Sequence, residues 1–232
     1  MISVIQVELF NLKTLAQKRK ILHKEAYDVL NDGEANNIKI SIHCPNKWFR
    51  TDSSYLKDLI SLFIICQKIE AKSIFEIGTL GGLTAYHFAI NTSEDARIYT
   101  LDLPEKQNSF PELKTTYVDR MHIDCYKKIQ KMMFSGKKEE NKINRLFGDS
   151  NSFDFSLYYG KIDFFFIDGS HSYEYVKSDT ENALKCVRSG GIIAWHDYGR
   201  AGTNGITKYL HEIAARYSIY SVPGSSIAFM IV

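Results

Sequence analysis

Two apolar runs in the second half of the chain each end in an acid and a histidine. In the first, Phe164-Phe165-Phe166-Ile167 is followed at once by Asp168, Gly169, Ser170 and His171. In the second, Gly191-Ile192-Ile193-Ala194-Trp195 delivers His196 and Asp197. Carboxylates and imidazoles suit two tasks, holding a divalent cation and moving a proton near neutral pH. Asp168 and Asp197 fall at strand ends, beyond which a parallel sheet binds its ligands. Two carboxylates about 4 Å apart repel by roughly 4 kcal/mol at an effective dielectric of about 20. That is a large share of the roughly 5–15 kcal/mol that holds a domain folded, and a divalent cation removes it. Neighbours on a regular strand point to opposite faces. His196 therefore joins Asp197 on one ion only if the chain has already left the strand; otherwise it supports the site from behind.

A third constellation follows another buried run. Ile74-Phe75-Glu76-Ile77-Gly78-Thr79-Leu80-Gly81-Gly82-Leu83-Thr84 reads as a strand, a glycine turn and a helix start. A dinucleotide fingerprint counted from Gly78 needs glycine at positions 80 and 83, where this chain has leucine, so close approach of a pyrophosphate is obstructed. What remains, E-x-G-x-x-x-G, suits a ligand without a pyrophosphate, or a tight turn that needs glycine for its own sake. Asp102 ends the next strand, about 20 residues on, where an acid can accept hydrogen bonds from both ribose hydroxyls. Gly148-Asp149-Ser150 ends the third, where a short acid could meet an adenine amino group.

The elements that must position these groups alternate. Strands are expected over 73–77, 97–101, 143–147, 162–167 and 192–195, and helices over 83–90, 117–134, 172–187 and 206–216, the third stopped by Gly190-Gly191. Such alternation predicts an α/β fold, a doubly wound and mostly parallel sheet. The tail departs from it. Residues 218–222, a Pro223-Gly224-Ser225 turn and residues 227–232 read as an antiparallel hairpin, which brings the sheet to seven strands. Residues 1–70 form an N-terminal helical extension to a domain spanning 71–232. Its last helix starts near Ser53 and points Leu56, Leu59, Ile60, Phe63 and Ile64 towards the first strand. Residues 103–141 are long for a connection and form a candidate lid.

At 44% hydrophobic and 24% charged residues, the 232-residue chain is that of a globular protein with a sizeable core. A net charge of +2 leaves no electrostatic footprint for nucleic acid or an anionic membrane. No apolar run reaches the roughly 18 residues of a membrane span. Cys44, Cys66, Cys125 and Cys186 are scattered, without a C-x-x-C pair, which fits a reducing compartment better than a disulfide framework. Residues 13–20 carry too much charge for a signal peptide. The expected setting is the cytoplasm, with a homo-oligomer left open.

The strand-end set resembles the class I S-adenosylmethionine-dependent methyltransferases, over roughly residues 70–232. The resemblance rests on E-x-G-x-x-x-G-x-T, Asp102, the Gly148-Asp149 turn and the reversed last strand. It implies a Rossmann-like methyltransferase fold with S-adenosylmethionine as cofactor. Glu76, Gly78, Thr79 and Gly82 would then lie at the methionine end, Asp102 at the ribose and Asp149 at the adenine. IDGSHSYEYVKSD followed by GGIIAWHD resembles a narrower branch, the catechol O-methyltransferase-like and sugar- or antibiotic-modifying metal-dependent O-methyltransferases. By that resemblance Asp168, His196 and Asp197 hold a divalent metal (Mg²⁺, Mn²⁺ or another), and His171 is the base. His196 departs from the branch, which shows an oxygen donor there; imidazole moves the preference towards Mn²⁺, Fe²⁺ or Zn²⁺. The field at a helix start is expected to keep His171 neutral, the alternative being that it merely caps that helix.

The expected function is O-methylation of a small hydroxylated acceptor, a sugar, glycoside or catechol-like molecule. One competing reading is a non-haem metal oxidoreductase using Asp168, His171 and His196. Another is a catalytically silent cofactor-binding interaction protein. A nucleic-acid methyltransferase would carry an N/D-P-P-Y/F motif where this chain has Asp168-Gly-Ser-His. His87 reads as a packed histidine, and His23, His43, His122 and His211 carry no role. Trp48, Phe49 and Arg50 could wall a pocket. Arg50, Arg200 and Asn204 could touch the acceptor.

Overall fold

The computed structural model describes residues 22–23, 39–43, 53–104 and 111–232. Trp48, Phe49, Arg50 and most of the expected N-terminal helical extension lie outside them. Within them the chain forms β1 (Leu22–His23), α1 (Ser53–Lys68), β2 (Ser73–Ile77), α2 (Leu83–Ile90), β3 (Arg97–Asp102), α3 (Tyr117–Tyr126) and β4 (Ile143–Phe147). There follow β5 (Ile162–Ile167), α4 (Tyr173–Cys186), β6 (Val187–Trp195), α5 (Asn204–Ile213), β7 (Tyr220–Ser221) and β8 (Ala228–Ile231). One sheet results, in the order β1-β7-β8-β6-β5-β2-β3-β4. β4, β3, β2, β5 and β6 are parallel, and β8 runs antiparallel to both of its neighbours. The seven expected strands and the closing hairpin are present; the two-residue β1 beside β7 adds an eighth at the edge. This is the Rossmann-like methyltransferase fold.

Alternation along the central strands explains why helices cover both faces. Phe164 and Phe166 of β5, with Ile74, Ile192 and Ala194, pack against Phe63 of α1 and Phe88 of α2. Phe165 and Ile167, with Phe75, Ile193 and Trp195, pack against Val176 and Ala183 of α4 and Leu210 of α5. The Phe75 and Phe165 rings stack with centroids 4.9 Å apart. With no polar face to spare, β5 and β6 can carry polar chemistry only where they end.

Several details differ from expectation. The helix expected over 117–134 stops at Tyr126, because the chain then turns to lay Met132 and Phe134 into the core and to bond Met133 N to Gly81 O at 2.9 Å. Tertiary packing overrides helical periodicity there. α4 ends at Cys186, and Gly190-Gly191 falls inside β6. A Cβ on Gly191 would sit 2.8 Å from the Asp163 carbonyl oxygen, so close pairing with β5 demands that glycine. In α1 the buried stripe runs through Asp58, Leu59, Leu62, Phe63, Ile65 and Cys66, rotated from the expected one.

Asp179 of α4 is fully buried, and neither carboxylate oxygen meets a hydrogen-bond partner among the described residues. Burial pushes its pKa up from 3.8 to about 7. The folded chain therefore keeps this proton to higher pH than the unfolded chain. The stability tied to Asp179 is full below about pH 4 and is lost as pH rises to about 7. Between pH 5 and 8, wild type is expected to lose on the order of a few kcal/mol relative to Asp179→Asn, read from urea unfolding at both pH values. Parallel curves for the two proteins would show that water or a movement of α4 relieves the carboxylate.

Candidate active site

The turn after β2 is shaped by close approach. Gly78 has φ +103°, and a Cβ there would lie 2.1 Å from the Asp168 carbonyl oxygen. Only glycine lets the end of β2 lie this close to the end of β5. Gly78 N bonds to Leu101 O at 2.9 Å, Asp168 N to Ile77 O at 2.9 Å and His196 N to Ile167 O at 3.1 Å, which pins four strand ends in register. Leu80, at a position where a dinucleotide site needs glycine, adopts φ +44°. Its N–H donates to Asp102 Oδ2 at 2.8 Å, and Leu103 N–H donates to Oδ1 at 2.8 Å. Burial raises the Asp102 pKa, and these amides pull against it.

A cavity of about 460 Å³ opens above these strand ends, within the roughly 300–1,000 Å³ usual for small-molecule sites. Gly78, Leu80, Asp102 and Asp149 line it, as do Asp168, His171, His196 and Asp197. Asp149 Oδ2 accepts from Tyr175 Oη at 2.6 Å and from Glu112 N at 2.9 Å. Glu76, Thr79 and Gly82, expected at the methionine end of the cofactor, are buried and are not among the residues that line the cavity. Glu76 is fully buried; its Oε2 accepts from Thr100 Oγ1 at 2.6 Å, and that hydroxyl lies 2.6 Å from Thr79 Oγ1. Burial holds the Glu76 pKa well above the carboxylate range. Gly82 has φ +74°, and a Cβ on it would lie 2.5 Å from the Phe134 ring. These three brace the turn.

In the same cavity, Asp168, His196 and Asp197 each place one potential ligand atom within 4.8 Å of the others. β6 ends at Trp195 and Asp197 takes φ +60°, so the chain has left strand geometry and its two polar residues turn to the same side. His196 Nδ1 lies 3.0 Å from Asp168 Oδ1 and 3.4 Å from Asp197 Oδ2. Its Nε2 lies 3.2 Å from Asp58 Oδ2. Burial works against charge on this imidazole, but Asp168, Asp197 and Asp58 outweigh it and raise its pKa well above the ordinary value. Two carboxylates and one imidazole so disposed form a donor set that fits a divalent transition-metal ion.

His171 is buried between two acids. Its Nδ1 lies 2.6 Å from Asp119 Oδ1 and its Nε2 2.8 Å from Asp197 Oδ2. Its own N–H donates to Asp119 Oδ1 at 2.9 Å. The helix cap belongs to Ser172, whose hydroxyl accepts from Tyr175 N at 3.3 Å, so His171 does not serve that purpose. The expectation of a neutral imidazole is overturned. Burial disfavours the charge, yet bonds to Asp119 and Asp197 raise the pKa to about 9. Burial pushes Asp119 upward, but its bonds from His171, Thr116 and Ser170 hold it well below the carboxylate range.

Several participants escaped the sequence reading. Asp119 comes from α3, where it also forms a capping box with Thr116; T-x-x-D was readable as a helix start, not as a partner for His171. Asp58 on α1 is an acid on a buried stripe. His122, given no role, lines the cavity with its ring 5.7 Å from that of His171. Arg200 lines it too, but is held by Asp58 at 2.7 Å and Asp197 at 3.2 Å, which weakens the case for it as an anion hook. Asn204 opens α5. His87 is a packed residue: its Nε2 accepts from His43 N at 3.0 Å and its Nδ1 lies 2.7 Å from Leu83 O.

The sequence matches the methyltransferase-domain family over residues 75–198, more than half of the chain and the part that carries Gly78, Asp102, Asp168 and Asp197. The chain belongs to that family, as an S-adenosylmethionine-dependent methyltransferase of class I fold. No curated protein shows significant sequence similarity to it. Among solved structures it is similar to the O-methyltransferase TomG from Streptomyces achromogenes, involved in tomaymycin synthesis and solved with S-adenosylmethionine. That pair is 16% identical over 76% of this chain and 79% of that one, with a TM-score of 0.51. An O-methyltransferase from Bacillus cereus in complex with S-adenosylhomocysteine is 22% identical over 78% and 83%, with a TM-score of 0.51. Cofactor-bound Rv0187 from MTB is 17% identical over 81% and 83%, with a TM-score of 0.53. At these identities the likeness is one of fold. No helix among the described residues is long and apolar enough to cross a membrane.

Proposed function

We propose that the chain methylates a hydroxyl of a small molecule, a sugar, glycoside or catechol-like acceptor, with a divalent metal held by Asp168, His196 and Asp197. The observation that carries this reading is that those three residues, clustered within reach of one ion, line the same cavity as His171, Asp102 and Asp149. The names of the structural neighbours, O-methyltransferases among them, support it. Bound S-adenosylmethionine supplies an electrophilic methyl group. Gly78 would bring backbone close to it, Asp102 would accept from the ribose and Asp149 would face the adenine. A divalent cation would lower the pKa of a coordinated hydroxyl. His171, anchored through Nδ1 by Asp119, would take the acceptor proton at Nε2 in its neutral form, which is favoured once Asp197 is engaged by a cation and no longer holds a proton on that nitrogen. The family match and the placement of His171 between Asp119 and Asp197 favour this over an oxidoreductase triad.

In this reading residues 1–70 cap a catalytic domain of residues 71–232, and α1 reaches the cavity through Tyr55. The enzyme works in the cytoplasm, in keeping with free Cys66, Cys125 and Cys186. Losing hydrogen bonds to a charged acceptor costs roughly 1.5–3 kcal/mol. Asp102→Ala is therefore expected to weaken S-adenosylhomocysteine binding by one to two orders of magnitude in calorimetry. Label transfer from methyl-labelled S-adenosylmethionine to a panel of sugars, glycosides and catechols, with and without metal, tests the reaction itself. Wild type that binds no S-adenosylhomocysteine would remove the reading's foundation.

A further inference from the structure

We propose that Asp58 presents His196 to the cation as a nitrogen ligand, and so builds a site that prefers Mn²⁺ over Mg²⁺. The inference rests on the metal reading above and adds to it a positioning residue from α1 and a metal preference.

Asp58 is only 2% exposed, yet four donors from two distant segments converge on it. Oδ1 accepts from Ser226 N at 2.5 Å. Oδ2 meets Ser226 Oγ at 2.9 Å, Arg200 Nη2 at 2.7 Å and His196 Nε2 at 3.2 Å. Held this way, the carboxylate cannot swing away from the imidazole. A carboxylate accepts and does not donate, so the nitrogen facing it must carry the proton. Both ring nitrogens face carboxylates here and both donate. Asp58 keeps the proton on Nε2, whereas the proton on Nδ1 is the one that a cation bound between Asp168 and Asp197 would displace, freeing that lone pair. Nδ1 is the nitrogen that faces Asp168 and Asp197.

The ring plane is fixed as well. The rings of Tyr55 and Phe166 meet His196 edge-on, with centroids 6.5 and 6.2 Å away. Histidines that bind metals commonly donate their other ring N–H to a carboxylate, which fixes tautomer and orientation. Here that carboxylate arrives from a helix outside the strand-end motifs. A site with one imidazole and two carboxylates is poorer for Mg²⁺, which favours oxygen ligands, than for Mn²⁺ and later divalent ions. Arg200 and Ser226 give Asp58 a purely structural alternative, tying α1 to the hairpin, so the test must read the metal.

Mn²⁺ titrated into the full chain, followed by continuous-wave and pulsed electron paramagnetic resonance, supplies that reading. Wild type is expected to bind Mn²⁺ with coupling to one imidazole nitrogen, and to yield it only to a large excess of Mg²⁺. Asp58→Ala is expected to bind Mn²⁺ about 10–100-fold more weakly and to lose the nitrogen coupling, with S-adenosylhomocysteine affinity unchanged. Asp58→Asn keeps an acceptor oxygen and guards against a misfolded alanine variant; it should retain the coupling and lose Mn²⁺ affinity several-fold. His196→Glu should remove the coupling and bring the Mg²⁺ and Mn²⁺ affinities together. Binding to wild type through oxygen alone would overturn the inference and leave the metal reading standing. Wild-type affinity and coupling in both Asp58 variants would do the same, whereas no Mn²⁺ binding by wild type overturns both.

Discussion

With Asp168 replaced by alanine, methyl transfer is expected to fall to the level of the chelated wild-type enzyme, while S-adenosylhomocysteine binds within a few-fold of wild type. The separation follows from which atoms of Asp168 do what. Its backbone N–H pairs with Ile77 O, and its carbonyl oxygen lies against Gly78. Both survive the substitution, so the strand ends and the turn beside Asp102 keep their register. Only the carboxylate 3.0 Å from His196 Nδ1 is lost. His196 and Asp197 remain, one donor short of the observed set of three. Label transfer with and without exhaustive chelation, beside calorimetry of S-adenosylhomocysteine, reads the two effects independently. Transfer that persists after chelation would reassign His196 and Asp197 to structural duties.

His171→Ala is expected to lower kcat by about 10²–10⁴-fold, the usual contribution of a positioned acid or base. Removing the imidazole also strands Asp119 and Asp197 without their common partner. Breaking a buried pair in this way costs roughly 3–5 kcal/mol, so loss of stability must be told apart from loss of chemistry. His171→Gln does so: its amide can hydrogen-bond one of the two acids but cannot take up a proton. The glutamine variant is expected to melt closer to wild type and still to show the full loss of kcat. A glutamine variant that turns over at the wild-type rate would leave His171 as a strut between α3 and the loop after β6.

The strand-end groups were legible because two physical signals coincide at them. An apolar run marks a strand, its last residue marks the edge of the sheet, and the polar residue that follows must be at the surface or in a site. Asp102, Asp149, Asp168, His196 and Asp197 were all singled out this way, and all five line the cavity. Glu76, singled out from the same turn, is buried rather than lining the cavity; strand alternation gives the face of a side chain, not whether a turn covers it. Asp58 and Asp119 were missed for a different reason. They enter from α1 and α3, whose docking depends on packing among residues far apart in the chain, and an acid on a helix ordinarily reads as solvated. The reversal for His171 has the same origin. Its local sequence supplies a helix start that disfavours charge, whereas the two carboxylates that favour charge come from residues 52 and 26 positions away.

The reach of Asp58 also bears on how the molecule assembles. Its partners His196, Arg200 and Ser226 lie 138, 142 and 168 residues further along the chain. Contacts of such separation come with a large loop-closure entropy, and topologies rich in them fold slowly. The parallel pairings among β2, β3, β4, β5 and β6 involve no residue of α1 or the hairpin, but the surroundings of His196 cannot close until both have docked. A chain emerging from the ribosome therefore holds its strand-end acids before it holds a finished site, and the hairpin completes what α1 began.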